Sequence, residues 1–176
     1  MINITTWILT IAILLQRCNG EDFIWNDCAN SDMPLHFYEA HISPIPVKLP
    51  GELIVNGTIS LNRTVDKPLR LELEVFRQIG MMHVKIFCID NYGSCTYEDI
   101  CKVAPPVCPP GFDEGNIPCQ CPVTPGYYTV PNFPVNLTIV LPSILNGKYN
   151  VIANLYEVKE KIGCINFSVG VVHNKT

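Results

Sequence analysis

The sequence predicts an all-β protein of about eight antiparallel strands, with irregular loops stapled by disulfides. Three observations carry that reading. Nearly every apolar segment is short, β-branched and bounded by Gly, Pro or Asn, with 15 prolines and 11 glycines in 176 residues, which suits strands and turns rather than long helices. Residues 69–75, LRLELEV, put Leu69, Leu71, Leu73 and Val75 on one face and Arg70, Glu72 and Glu74 on the other, the period-two pattern of a half-buried antiparallel strand. Six of the nine cysteines fall between Cys88 and Cys121. Pro105, Pro106, Pro109, Pro110 and Pro118 in that stretch remove backbone donors and fix φ, so it must be a compact irregular loop that needs covalent support.

At the amino terminus, Ile8 to Leu15 form an apolar run too short to span a bilayer, and Cys18-Asn19-Gly20 places small residues before a cleavage point. This is the pattern of a secretory signal peptide over residues 1–20, leaving a single domain over residues 21–176. Cleavage removes Cys18 and leaves eight cysteines, an even number suited to four disulfides in an oxidising compartment. Zinc is the other use of clustered cysteines, but neither a CxxC pair nor the paired spacing of a zinc ribbon is present. No metal and no cofactor is expected. Asn56, Asn62, Asn136, Asn166 and Asn174 head glycosylation sequons, consistent with the secretory route.

Taken in order, Phe23, Trp25 and Cys28 suggest an aromatic plug leading into a disulfide, for which Cys164 is the one cysteine far from the cluster. Strands are expected at 35–42 and 52–61, separated by a bend at Pro44, Pro46 and Pro50. Strand 69–75 pairs with a strand at 84–89 in a hairpin whose tip is Ile79-Gly80-Met81-Met82. Hairpin tips are normally polar and this one is apolar. Its methionines either tuck back to fill the core or form an exposed finger that touches lipid. At most one helical turn is expected, near 97–101. Further strands follow at 127–130, 136–141, 149–158 and 164–172, the first two interrupted by Pro131 and Pro134. The turn at 141–147 carries Ile144 and Leu145 at its crest.

The composition excludes several functions. The mature chain keeps 11 of the 12 basic residues, losing Arg17, against 16 acidic ones, and no basic stripe exists to neutralise phosphates, so nucleic acid is not a partner. The four histidines are scattered, and no GxSxG elbow, HExxH pair or phosphate-cradling glycine loop is present. Asp113-Glu114, the acid pair in the cysteine-rich loop, reads as solvated charge. The chain is not expected to be an enzyme, and no residue is assigned a catalytic role.

The segments FIWNDCA, KIFCIDNYGSCTYEDIC, IPCQCPVTPGYYTVP, LPSILNGKYNV and KIGCINFSV together resemble the lysosomal ganglioside activator family, a branch of the wider lipid-recognition (ML-like) group. The resemblance spans the mature chain and the order and spacing of all eight cysteines. It implies a cup of antiparallel strands around an apolar cavity, with disulfides Cys28–Cys164, Cys88–Cys95, Cys101–Cys121 and Cys108–Cys119. It also implies a non-enzymatic activator of the lysosome or secretory route, which lifts a glycosphingolipid from a membrane and presents its head group to a soluble hydrolase, typically β-hexosaminidase A. On that reading Leu69, Leu71, Leu73, Val75, Leu137, Ile139 and Leu141 line the cavity, each buried methylene contributing about 0.8 kcal/mol. Ile79, Met81, Met82, Ile144 and Leu145 are the expected membrane contacts. His83 stands where the family would carry an aromatic; it reads either as a solvated loop histidine or as a group whose charge in acid favours an anionic surface. A general secreted lipid carrier and a disulfide-rich inhibitor or ligand protein are the alternative readings.

Overall fold

The computed structural model describes residues 23–103, 117–140 and 142–174. Within them the chain forms β1 (Ile24–Asp27), β2 (Leu35–Ser43), β3 (Val47–Leu49), β4 (Gly51–Leu61), β5 (Leu69–Ile79), β6 (Met82–Lys85), β7 (Thr96–Tyr97), the short helix α1 (Ile100–Val103), β8 (Gly126–Leu137), β9 (Gly147–Glu157) and β10 (Glu160–His173). The larger sheet runs β1-β10-β9-β5-β6, with β3 added in parallel beside β10 and β7 beside β5. The smaller sheet is β2-β4-β8, antiparallel throughout. Their apolar faces pack together as a sandwich, the arrangement that alternating strands require.

The alternation in residues 69–75 sets the inner face. Leu69, Leu71, Leu73 and Val75 stand opposite Glu157, Leu155, Ala153 and Val151 of β9. At one end of the sandwich, Leu35, Leu61 and Tyr128 of the small sheet pack with Leu69 and Ile162 of the large one, and with Val65 between strands. A register shift between Lys161 and Gly163 lets β10 deliver Ile162 to this core, where it is fully buried. Gly163 keeps the sheets close: a Cβ there would lie 2.6 Å from Leu35 Cδ2. Toward the other end, Val47, Leu49 and Val169 form a second buried cluster flanked by Phe23, Leu53, Leu137 and Phe167.

The strands differ from the sequence expectation in several places, among them β7, which forms where the helical turn was expected to begin. Residues 127–130 and 136–137 belong to one strand, β8, which passes through Pro131 and Pro134. β8 is outermost in its sheet and shifts register against β4 between Val55 and Gly57, and an outer strand with a bulge tolerates residues that lack an N–H. Residues 138–140 are not strand. The predicted strand at 84–89 ends at Lys85. β3, hidden between prolines, was not predicted.

Cys28 is bonded to Cys164, Cys88 to Cys95 and Cys101 to Cys121. The first bridge joins residues 136 apart, a closure worth about 5 kcal/mol in the chain-entropy account, and fastens β1 to β10. Cys119 is also disulfide-bonded. Cys108, Asp113-Glu114 and residues 1–20, expected from the sequence to be a leader, lie outside the described residues.

Opposite the β5–β6 tip, the β4–β5 connection is pinned to the β9–β10 hairpin. Arg63 bonds Glu157 and lies 3.1 Å from Glu160, while the Asp66 N–H donates to Glu157 Oε1 at 2.7 Å. Burial alone would push the Glu157 carboxyl up, but the Arg63 hydrogen bond, the Asp66 N–H and the Arg63 charge together hold it below the usual carboxylate range.

Candidate functional site

Two apolar pockets lie inside the sandwich. The first, of about 180 Å³, sits at the Arg63 end. Leu35, Ile59, Leu61 and Tyr128 line it from one sheet and Leu69, Leu155 and Ile162 from the other, with Ile117 and Val123 of the cysteine-rich segment over it. The second, of about 240 Å³, lies at the opposite end. Val75, Tyr149, Val151, Val169 and Val171 form its sheet wall, and Ile86, Tyr92, Ile139 and Leu145 form its loop wall. Polar atoms are almost absent from both linings, so what enters them must be apolar.

Two loops line the second pocket, the β5–β6 tip lies further along β5 from Val75, and each of the three turns apolar side chains into solvent. At the β5–β6 tip, Ile79 pairs with Met82 around Gly80 and Met81. Met81 is 99% exposed and Met82 is also exposed, so the methionines do not fill the core. The Cys88–Cys95 loop folds back against β5: the Ile86 N–H donates to Val75 O, the Leu73 N–H to Cys95 O and the Val75 N–H to Ser94 Oγ. Its tip is a tight turn in which Asp90 and Asn91 take φ of 50° and 66°, closed by two hydrogen bonds between Ile89 and Tyr92, the backbone that Asp and Asn tolerate best. Gly93 follows with φ 97°, where a Cβ would lie 2.3 Å from Phe87 O. The result is an outward projection of Phe87, Ile89 and Tyr92, with Phe87 75% exposed. The third loop precedes β9 and contains a 3₁₀ turn, Ser143–Leu145, with Ile144 79% exposed and Val140 also exposed.

The third loop is fastened from below. Arg77 of β5 donates through Nη2 to Ile144 O at 2.7 Å and Asn146 O at 3.0 Å. The Tyr149 hydroxyl donates to Leu145 O at 2.6 Å, and the His173 N–H to Asn146 Oδ1 at 2.6 Å. Burial pushes the Tyr149 hydroxyl up, and the Arg77 charge partly opposes this.

Such a mouth, an apolar pocket ringed by exposed apolar loops on a disulfide-bonded β-sandwich, can be compared with known proteins. A family profile described as the ML domain matches residues 22–171. The chain belongs to the ML-domain family. It is 30% identical over 158 residues to the ganglioside GM2 activator of Mus musculus, covering 85% of this chain and 81% of that one. It is 29% identical to the activator of Macaca fascicularis, covering 85% and 83%. Among solved structures it is similar to a Niemann-Pick type C2 protein from Japanese carpenter ant, at 16% identity and a TM-score of 0.47, covering 84% of this chain and 98% of that one. It is also similar to chicken MD-1 complexed with lipid IVa, at 17% identity and a TM-score of 0.31, covering 87% and 84%.

In this ML domain the residues singled out from sequence separate into distinct places. Val75 and Ile139 line the mouth pocket and Leu69 the inner one. Leu71 and Leu73 share the inner face of β5 without lining either, and Leu137 packs against the Val47, Leu49 and Val169 cluster. Leu141 lies outside the described residues. Ile79, Met81, Met82 and Ile144 are exposed at the mouth, whereas Leu145 is half-buried and faces the pocket. His83 is exposed on β6 opposite Gln78. Asn62 and Asn136 are exposed, while Asn56 Nδ2 donates to Asn132 Oδ1 at 2.9 Å and Asn174 Nδ2 to Pro50 O at 3.0 Å. Asn166 is half-buried within β10 and accepts from Asn150 Nδ2 at 2.8 Å. Sequence reasoning missed Phe87, Ile89 and Tyr92 because 84–89 was read as one strand; the Asp90-Asn91 pair was the signal that a tight turn follows.

Proposed function

We propose that this ML domain is a non-enzymatic lipid-binding and transfer protein. It docks its apolar mouth on a membrane, draws out a glycosphingolipid, and presents the head group to a soluble lysosomal hydrolase of the β-hexosaminidase A type. The observation that carries the reading is the 240 Å³ apolar pocket lined by Ile86, Tyr92, Ile139 and Leu145, whose chain neighbours Phe87 and Ile144 are exposed. Apolar side chains on three neighbouring loops are a poor surface for a protein in water and a good one for a bilayer interface. Each methylene transferred from water to the interior contributes about 0.8 kcal/mol. A lipid head group has no polar partner in such a lining and stays outside, within reach of a second protein. The names of the two activator relatives support the choice of a ganglioside-type ligand. The even cysteine count of residues 21–176 and the sequons support a secretory or lysosomal setting.

Each pocket is smaller than the roughly 300–1,000 Å³ typical of ligand sites, so two alkyl chains require the interior to widen between the sheets. The test is to incubate the protein purified from a secreting host with mixed-glycolipid vesicles at about pH 5 and pH 7, then extract and count lipid. About one glycosphingolipid per protein supports the reading, and its hydrolysis on addition of a hexosaminidase supports the presentation step. Equal uptake of neutral phospholipid points to a general carrier. No lipid at either pH rejects lipid binding and leaves a secreted inhibitor or ligand protein.

A further inference from the structure

We infer that Arg77 is the residue with which the mouth selects its ligand, its guanidinium pairing with an anionic oxygen group, carboxylate or phosphate, borne by the head of the bound amphiphile. The inference rests on the lipid-binding reading and specifies which lipids the mouth prefers.

Three arginines lie in the described residues. Arg63 bonds Glu157 and Glu160, and Arg70 lies 2.7 Å from Glu72 and stacks over Tyr156. Among the described residues Arg77 forms no ion pair. Its bonds go to two neutral carbonyl oxygens, and its Nε, like that of Arg70, is buried without a hydrogen-bond partner. A guanidinium is among the most expensive groups to leave short of an acceptor, and its planar fork is shaped for two parallel bonds to a carboxylate or phosphate.

Its position fits that use. Arg77 stands two residues beyond Val75, which lines the pocket, and opposite Tyr149, which lines it too. Leu145, another lining residue, lies between the two carbonyls that Arg77 holds. Gly147 packs close to the guanidinium: a Cβ there would lie in ordinary contact, 3.5 Å from Arg77 Nε. At the same corner His173 Nδ1 is likewise buried without a partner, while its backbone N–H holds Asn146. Two basic side chains with orphaned nitrogens therefore flank Asn146 and Gly147 at the pocket entrance. The nearest carboxylate on the same strand, Glu74, faces the other side of β5 and bonds Lys85 at 2.8 Å. An anionic group arriving here would replace two neutral acceptors with a charged one and release the 143–146 turn, so the ligand that the mouth prefers is also the one that opens it.

The experiment compares extraction from phosphatidylcholine vesicles containing a sialylated glycolipid, the same glycolipid after desialylation, or phosphatidylglycerol, by wild type, Arg77→Gln and Arg77→Lys. Wild type should favour the sialylated over the desialylated lipid by about tenfold, the effect of one charged hydrogen-bonded pair. Arg77→Gln should lose the preference, its extraction of the sialylated lipid falling to that of the desialylated one. Arg77→Lys, keeping charge without the fork, should retain part of the preference. Phosphatidylglycerol competing in an Arg77-dependent way identifies phosphate as an accepted group; no competition identifies the sugar carboxylate. A preference that survives Arg77→Gln overturns the inference, as does equal uptake of both glycolipids by wild type. Equal loss of both lipids in Arg77→Gln overturns it as well, leaving Arg77 a fastener of the loop. Failure of wild type to take up any lipid removes the lipid-binding reading itself.

Discussion

Replacing Met81 with serine isolates the membrane contribution of one side chain. Met81 is 99% exposed at the β5–β6 tip, so the protein itself gains almost nothing from it, and a surface change away from special backbone sites alters stability by less than about 0.5 kcal/mol. At an interface the same side chain can bury nearly all its area, and full burial of a methionine is worth about 1.5–3 kcal/mol. A mid-range loss of about 2 kcal/mol corresponds to roughly 30-fold weaker partitioning. Ile144, 79% exposed on a different loop, should contribute somewhat less. The two residues sit on different loops, so their effects should add, and the double variant Met81→Ser/Ile144→Ser should lose about 3.5 kcal/mol, a few hundredfold. Sedimentation with phosphatidylcholine vesicles at low and high salt measures the partition, and thermal unfolding without vesicles measures stability. An apolar contact should be largely insensitive to salt. Met81→Ser that pellets like wild type refutes insertion of the tip, and a Tm lowered by several degrees would mean that the methionine packs in the protein after all.

Two further outcomes concern the far end of the sandwich. Glu157 titrates below the usual carboxylate range in the folded protein, so the stability it contributes is present above the ordinary carboxylate pKa and is lost as pH falls through the folded value. Glu157→Gln should therefore unfold at lower urea than wild type at pH 7 and pH 5, with the gap closing toward pH 3; a gap independent of pH would contradict this. Val158 holds φ 57° at the β9–β10 turn, a conformation costing a side-chain-bearing residue roughly 1–2 kcal/mol and resisted most by β-branched ones. Val158→Asn should raise stability by about 1 kcal/mol, read as a higher urea midpoint; an unchanged or lower midpoint would refute the strain.

Local alternation was legible wherever one face of a strand is buried and the other wet. LRLELEV announced β5 because its leucines meet β9 and the opposite sheet while Arg70, Glu72 and Glu74 face out. β8 was misread because a proline ends a strand only when that strand needs both edges, and β8 uses one. β3 was invisible for a related reason: three residues between prolines gain strand character only from pairing with β10, more than a hundred residues away. The mouth was half legible. An apolar hairpin tip announced Met81 and Met82, but whether such residues face out depends on what packs over them. Arg77 could not be found by pattern at all, since its place in the alternation is that of an interior residue, and only the three-dimensional neighbourhood reveals that no carboxylate meets it.

The prolines of β8 have a consequence for how these molecules behave in a crowd. Two of four consecutive positions on the small sheet's open flank, Pro131 and Pro134, have no hydrogen to offer, so a neighbour arriving sideways finds a broken row of donors and cannot extend the sheet. A chain that must keep grease on display at one end stays dispersed more easily if its flank refuses to zip. Any clustering is then steered toward the end that exposes Met81, Phe87 and Ile144.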